Sequence, residues 1–270
     1  MQYVVKIATL NINGITSKTR IGMLGDFLRR QDIDFALLQE VTRADLTTLR
    51  RYTAHTNIGT GRRRTAILAK EELVLSDIRR IPSGRGIAAT YNGIRIINVY
   101  APSGAEKRNA RESFYDTEIT SLLLSTDTEM IIAGDFNCVL SSADTTGRGN
   151  YSRALDTLTK GLGLKDAWES PHTRPTYTHY TSTGASRLDG IYVTENLRKN
   201  KKGVETVAAA FTDHLAVILR ITLDIRNICR GRGYWKMNVS LLNEPTFRQS
   251  MQEEWTRWRN RKKYYPNPVL

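Results

Sequence analysis

Short apolar runs, each stopped by a polar or glycine-containing stretch, set the rhythm of this chain. Tyr3–Ile12 alternates into a Val/Ile-rich run and predicts a strand. Thr16–Gln31 carries Ile21, Leu24, Phe27 and Leu28 at helical spacing. Phe35–Leu38 is apolar and bounded by charge, which suits a buried strand. Thr65–Ala69, Gly86–Tyr91 and Ile94–Tyr100 predict further strands, the last two joined by Asn92-Gly93, a strong hairpin signal. Ala105–Thr126 predicts a helix, Met130–Ala133 a strand, and Arg153–Gly161 a helix ending at glycine. Thr176–Tyr180, Leu188–Val193, Val204–Phe211 and Leu215–Leu223 complete the strands. Interspersed strands and helices with one clear hairpin imply mixed sheets covered by helices, an α/β layered domain. The domain is expected to span residues 1–223, with 224–270 as a separate linker. Within that linker Arg230–Gly233 reads as a loop and Leu241–Trp258 as a helix before a basic run, which Pro266 and Pro268 end.

Composition narrows the class. Hydrophobic residues make up 40% and charged residues 25% of the chain, which excludes wholesale disorder. No stretch approaches the roughly 18–20 apolar residues of a membrane span. The first residues enter a strand pattern without a signal-peptide pattern, so the chain reads as soluble and intracellular, with no membrane partner. Cys138 and Cys229, lacking any CxxC spacing, suggest neither a disulfide framework nor a zinc site. The net charge of +13 favours a polyanionic partner, nucleic acid or an anionic surface. Residues 1–223 hold thirty basic and twenty-three acidic side chains, whereas 224–270 hold ten and four, so the linker is the more basic segment for its length.

Polar groups recur where apolar runs stop. Asn11 and Asn13 close the first strand, Glu40 follows Ala36–Gln39, and Tyr100 closes Ile96–Val99. Asp135 and Asn137 follow Met130–Gly134, Asp189 lies within Arg187–Ile191, and Asp213 and His214 precede Leu215–Ile218. Ligands gather at such strand ends in layered α/β folds. Taken singly, the asparagines also read as turn formers, the acids as surface or turn groups, and His214 as a satisfied core histidine. His55, His172 and His179 lie in polar contexts and read as solvated or DNA-facing.

Together these residues form an ordered set. Thr9–Gly14, Leu38–Glu40, Asn98–Pro102, Gly134–Asn137, Ser186–Asp189 and Thr212–His214 resemble, in order, the motifs of the endonuclease/exonuclease/phosphatase superfamily. The resemblance implies a four-layer α/β sandwich of two packed mixed β-sheets flanked by helices, with one site at the strand ends. It also implies phosphodiester hydrolysis with Mg²⁺, or Mn²⁺ as a substitute. Glu40 would hold the cation through oxygens, with Asn13 and Asp213 as further metal positions. Asp135 would accept or orient the proton of the attacking water. His214 would donate to a phosphate oxygen with its tautomer fixed by Asp189. Asn11 and Asn137 offer amide donors and Tyr100 a hydroxyl. Many relatives carry aspartate where Asn13 stands; asparagine keeps the oxygen and loses the charge.

Thr176–Thr178 through Ser186–Asp189, with Gly233–Asn238, look most like the endonuclease of a non-LTR (LINE-type) retrotransposon. That likeness implies nicking of double-stranded DNA in the nucleus. It also implies a downstream reverse transcriptase domain in the same polyprotein, and element RNA as an indirect partner. Abasic-site repair enzymes of this fold carry a tryptophan where Ala185 and Ser186 stand, so repair ranks below nicking of ordinary DNA. A non-catalytic DNA-tethering module is the third reading, and the complete motif set argues against it. Arg62, Arg63 and Arg64 are expected to meet backbone phosphates, as are Arg79, Arg80, Arg85 and Arg198–Lys202. Thr178, Tyr180, Thr181, Ser182, Thr183, Ser186 and Arg187 are expected on or beside a hairpin that enters a groove and influences site choice.

Overall fold

In the computed structural model, residues 2–42, 46–60, 64–123, 128–147, 149–168, 176–224 and 244–261 are described. The chain divides into two compact units, residues 1–229 and 230–270. Among the described residues of the first unit fourteen strands follow in chain order. They are β1 (Gln2–Asn11), β2 (Phe35–Gln39), β3 (Tyr52–Asn57), β4 (Thr65–Lys70), β5 (Ser76–Arg80), β6 (Gly86–Tyr91) and β7 (Ile94–Tyr100). After these come β8 (Met130–Asp135), β9 (Leu164–Asp166), β10 (His179–Thr181), β11 (Gly184–Ser186), β12 (Asp189–Thr194), β13 (Lys201–Ala208) and β14 (Leu215–Asp224). The helices are α1 (Lys18–Arg30), α2 (Arg108–Ser113), α3 (Arg153–Gly161) and α4 (Glu195–Lys199). The second unit contributes α5 (Pro245–Arg261).

Two six-stranded sheets form, ordered β13-β14-β1-β2-β4-β3 and β5-β6-β7-β8-β12-β9, with β10-β11 as a separate hairpin. The period-2 alternation of the strands builds the layers. Phe35 and Leu37 of β2 join Val5, Ile7, Ile96 and Ile131 in the core between the sheets. Their neighbours Ala36 and Leu38 turn the other way, onto Ile21, Leu24, Phe27 and Leu28 of α1. On the second sheet Ile97, Val99 and Ile132 face Phe114, Tyr115, Ile119 and Leu155. This is the helix-covered double sheet that the motif resemblance implies.

Three predicted elements differ. The strand expected over Val204–Phe211 lies at Lys201–Ala208, because the chain turns at 210–211, where Thr212 N donates to the Ala209 carbonyl. The helix expected over Ala105–Thr126 is a broken helical path: a 3₁₀ turn at Ala105–Lys107, α2, a π-turn at Phe114–Glu118 and a 3₁₀ turn at Ile119–Leu122. A buried Arg111, which caps the carbonyls of Pro102 and Gly104, interrupts its apolar face. Thr176–Tyr180 shortens to β10, because Thr178 spends its backbone on Ser186 and Leu215. Among the described residues no helix is long and apolar enough to cross a membrane.

Candidate active site

The pairing pattern sets where functional groups meet. β1 runs parallel to β2, and β7 parallel to β8, at the centre of each sheet. β14 runs antiparallel to β1, and β12 antiparallel to β8. The C-terminal ends of β1, β2, β7 and β8 therefore share one edge of the sandwich with the N-terminal ends of β12 and β14. The polar residues that stop the apolar runs all arrive at this edge. Gly134 makes the approach of β8 to β7 possible: a Cβ there would lie 1.9 Å from the Val99 carbonyl oxygen. Tyr100, Asp135 and Asp189 are then direct cross-strand neighbours.

Hydrogen bonds fix the cluster. Asn11 Nδ2 donates to Asp135 Oδ2 at 2.9 Å and to Glu40 Oε1 at 3.3 Å. The Tyr100 hydroxyl donates to Glu40 Oε1 at 2.7 Å. Asn137 N donates to Asp135 Oδ1 at 3.0 Å, and Asn137 Nδ2 to the Ala101 carbonyl at 3.0 Å. On the opposite side, His214 Nδ1 lies 2.7 Å from Asp189 Oδ2. Glu40 has φ 55° and Asn137 φ 50°. Asparagine tolerates this left-handed region, whereas glutamate is held there only by its surroundings.

Electrostatics separates the groups. Burial raises the Asp135 carboxyl above the ordinary aspartate range, and the charge of Asp189 raises it further, against His214, the Asn11 amide and the Asn137 N–H. Burial alone would lower His214; the Asp189 carboxylate, by charge and hydrogen bond, outweighs it and raises the imidazole well above its usual value. His214 therefore stands as an imidazolium paired to Asp189 at neutral pH.

The donor set suits a hard divalent cation. Glu40 and Asp135 present carboxylates on either side of the Asn11 amide. Carboxylate oxygens of Asp135 and Asp189 lie within 4.8 Å of one another, and the protonated His214 beside them supplies no ligand. Asp189 Oδ1 is buried with no hydrogen-bond partner among the described residues. Clustered carboxylates with one unsatisfied oxygen fit a hard divalent cation.

Asn11, Glu40, Tyr100, Asp135, Asn137, Asp189 and His214 are thus brought together. Both amide hydrogens of Asn11 point at carboxylates, so it organises Asp135 and Glu40 rather than offering a free donor. Asn13 and Asp213 meet at the exposed rim, where Asn13 Nδ2 donates to Asp213 Oδ1 at 3.1 Å. Two residues expected to face DNA do not. Thr178 is 0% exposed, and its Oγ1 accepts from Leu188 N and Asp189 N, both at 3.0 Å. Arg187 is half-buried in an ion triad, 2.8 Å from Asp144 and 2.6 Å from Asp166, so its charge is spent internally. Ser186 is half-buried and bonded to Thr145. Tyr180, Thr181, Ser182 and Thr183 are exposed at the hairpin, as expected.

Arg62 and Arg63 lie outside the described residues, as do Gly233–Asn238 and the basic run after Arg261; Arg64 is half-buried. Arg85 sits beside the site, its guanidinium 5.1 Å from the Tyr100 ring centroid and donating to the Tyr100 carbonyl at 3.1 Å. His179, which reads from the sequence as solvated or DNA-facing, packs against the site. Its ring lies 4.6 Å from that of His214, and its Nε2 lies 3.7 Å from Asp213 Oδ2. The only linear signal was its position next to Thr178, whose carbonyl accepts from Leu215 N.

A sequence model of the endonuclease/exonuclease/phosphatase family matches residues 8–214. A Xenopus laevis protein of the transposon TX1, an uncharacterized 149 kDa protein, is 29% identical over 283 residues. The match covers 94% of this chain and 21% of that protein, so the chain spans about a fifth of its relative's length. Among solved structures, an AP endonuclease from Archaeoglobus fulgidus superposes with a TM-score of 0.67 at 20% identity, covering 80% of this chain and 99% of its own. The 3′ phosphatase NExo from Neisseria, bound to a product DNA hairpin, gives 0.66 at 20% identity with coverages of 80% and 99%. The AP endonuclease LMAP of Leishmania major gives 0.64 at 16% identity with coverages of 82% and 88%. At these identities the structural likeness is one of fold.

Proposed function

Because the chain belongs to the endonuclease/exonuclease/phosphatase family, we propose that it is a divalent-metal-dependent endonuclease that nicks one strand of double-stranded DNA, leaving a 3′-hydroxyl for target-primed reverse transcription in retrotransposition. The transposon relative supports this reading, as does the net charge of +13. The reverse transcriptase would be a further part of a longer polyprotein, 224–270 the basic linker towards it, element RNA an indirect partner, and the nucleus the place of action.

One observation carries the proposal. A buried, oriented carboxylate (Asp135) and a charged imidazole (His214 on Asp189) meet at one sheet edge beside a carboxylate-rich cation pocket. Glu40 would hold Mg²⁺ or Mn²⁺, with Asp135 and Asp189 next to it and Asn13 and Asp213 at the rim. When bound, the cation neutralises phosphate charge and polarises the oxygen it touches. His214 Nε2–H donates a hydrogen bond to a phosphate oxygen. Asp189 accepts from Nδ1 and so keeps the ring protonated. Asp135, its two oxygens held by Asn11 and Asn137, accepts the proton of the attacking water as the bond from phosphorus to the 3′-oxygen breaks, and the leaving 3′-oxygen takes its proton from solvent; the raised proton affinity of Asp135 suits a base. Tyr100 fixes Glu40 through its hydroxyl.

Asp135→Ala and His214→Ala are each expected to lower the nicking rate by at least about two orders of magnitude while duplex binding survives. Parental nicking by either folded variant would refute the assigned roles. Side-by-side rates on intact and abasic duplexes separate this reading from repair, which demands strong preference for the abasic substrate. Ala185 and Ser186 occupy β11 with small side chains, which build no apolar wall for a flipped-out sugar.

A further inference from the structure

The hairpin β10–β11 does not project alone. Thr146 N donates to the Ala185 carbonyl at 2.9 Å, and Ala185 N donates back to Thr146 Oγ1 at 2.8 Å. Thr145 and Ser186 form an antiparallel bridge, and their hydroxyls share a hydrogen bond of 2.9 Å. One residue further on, Arg187 N donates to the Asp144 carbonyl at 2.8 Å, while its guanidinium pairs with the Asp144 carboxylate. Residues 145–147 therefore lie against β11, joined to it by a single antiparallel bridge and flanking hydrogen bonds. Gly184 allows this closeness, since a Cβ there would lie 2.9 Å from Thr146 Oγ1. The base of the segment is fixed by the Ser141–Asp144 capping box.

The solvent face of this unit has a consistent chemistry. Tyr180, Thr181, Ser182, Thr183, Thr146 and Gly147 are exposed, while Asp144 is buried. Hydroxyls, one aromatic ring and no outward carboxylate suit the approach of a polyanion and offer donors and acceptors to groove edges. The two arms also leave the site from adjacent strands. Residues 141–147 follow β8, which ends in Asp135, and β11 leads into β12, which begins at Asp189. Asp135 and Asp189 are direct register partners. A duplex seated on the unit is thereby placed relative to both carboxylates.

We propose that Thr145–Gly147 is a second half of the surface that selects the nick position, acting with the β10–β11 tip as one rigid platform. The proposal rests on the reading of the chain as a DNA-nicking enzyme and adds a segment to its specificity surface. Its rigidity matters, because a surface already tied by hydrogen bonds loses little conformational freedom on binding.

The test maps nick positions by sequencing on one long duplex with Mg²⁺, using the full chain. Thr146→Val removes the hydroxyl and keeps the β-branched shape. Gly147→Tyr adds a ring where a Cβ meets nothing within 4 Å, and a thermal melt checks that the variant is folded. Tyr180→Ala serves as the hairpin control. Both Thr146→Val and Gly147→Tyr are expected to change the ratio of the two most-used sites at least about fivefold, with the half-saturating Mg²⁺ concentration unchanged within about twofold. Unchanged patterns in these two variants, with a changed pattern in Tyr180→Ala, overturn the platform and leave the hairpin as selector. Unchanged patterns in all three overturn the platform and remove the hairpin as well. Absence of nicking by the unaltered chain in the same reactions overturns the nuclease reading, and the platform with it.

Discussion

His214 owes its charge to one neighbour. Burial would strip its proton, and Asp189 at 2.7 Å holds it on. In Asp189→Asn burial dominates, the imidazole pKa falls, and the proton leaves at lower pH. The nicking rate of this variant is expected to decline on the alkaline side at a pH where the parent is still active. A pH–rate profile whose alkaline limb does not move contradicts the pairing. Glu40 tests the cation pocket in the same way: Glu40→Gln removes a charge and should raise the Mg²⁺ concentration needed for half-maximal rate, whereas Asn13→Asp should leave it equal or lower. A titration showing no change for Glu40→Gln would move the cation elsewhere in the cluster. Most of these residues were legible in the sequence, because each stops an apolar run at a strand end. Thr178 and His179 were not. Both act through partners some 35 residues downstream in the chain, Leu215 and His214, and no local pattern records such pairings.

At the scale of elements, the parallel pair β7–β8 carries the site. Its spacing depends on Gly134, whose φ is 154° and whose added Cβ would overlap the Val99 carbonyl. Gly134→Ala should force β8 away from β7, separate Tyr100 from Asp135, and cost about 3 kcal/mol or more in unfolding free energy, at or beyond the upper end of ordinary overpacking. Chemical denaturation measures this; a midpoint within error of the parent would show that the strands accommodate the methyl. Central strands were readable because both their faces are buried. β3 and β5 sit at sheet edges, β3 largely half-buried and β5 largely exposed, with mostly polar residues, and β9 and β11 are three residues long, so none produces a usable alternation. The turn at Asn92-Gly93 announced itself, with φ 48° and 80°, because only such residues accept two left-handed positions in a row.

For the whole molecule, charge and chemistry are divided. The seven clustered site residues fall within residues 8–214, the part that matches the family, while residues 224–270 hold ten basic against four acidic side chains. A fragment of residues 1–229 is expected to nick at an undiminished rate on saturating DNA. It should bind a duplex more weakly, with a salt dependence flatter by about 0.9 logarithmic units for each phosphate that the absent segment would have neutralised. Affinities measured across a salt series check this, and an inactive but folded fragment would place part of the site beyond residue 229. Net charge pointed to a polyanion from the sequence alone, and the ordered motifs pointed to phosphodiester chemistry. The direction of individual arginines was not readable, since Arg187 reads as a DNA-facing residue in the chain and folds into an ion triad with Asp144 and Asp166.

The most direct measurement of the central claim is polymerase extension from the product. Undamaged closed-circular duplex is incubated with the chain and Mg²⁺, and then with a DNA polymerase and labelled nucleotides. The expected result is open circles that incorporate label without prior end repair, no label when the divalent cation is chelated, and none with Asp135→Ala. Cleavage that persists under chelation, or circles cut only where an abasic site has been introduced, would contradict a metal-dependent nickase that leaves a 3′-hydroxyl on ordinary DNA.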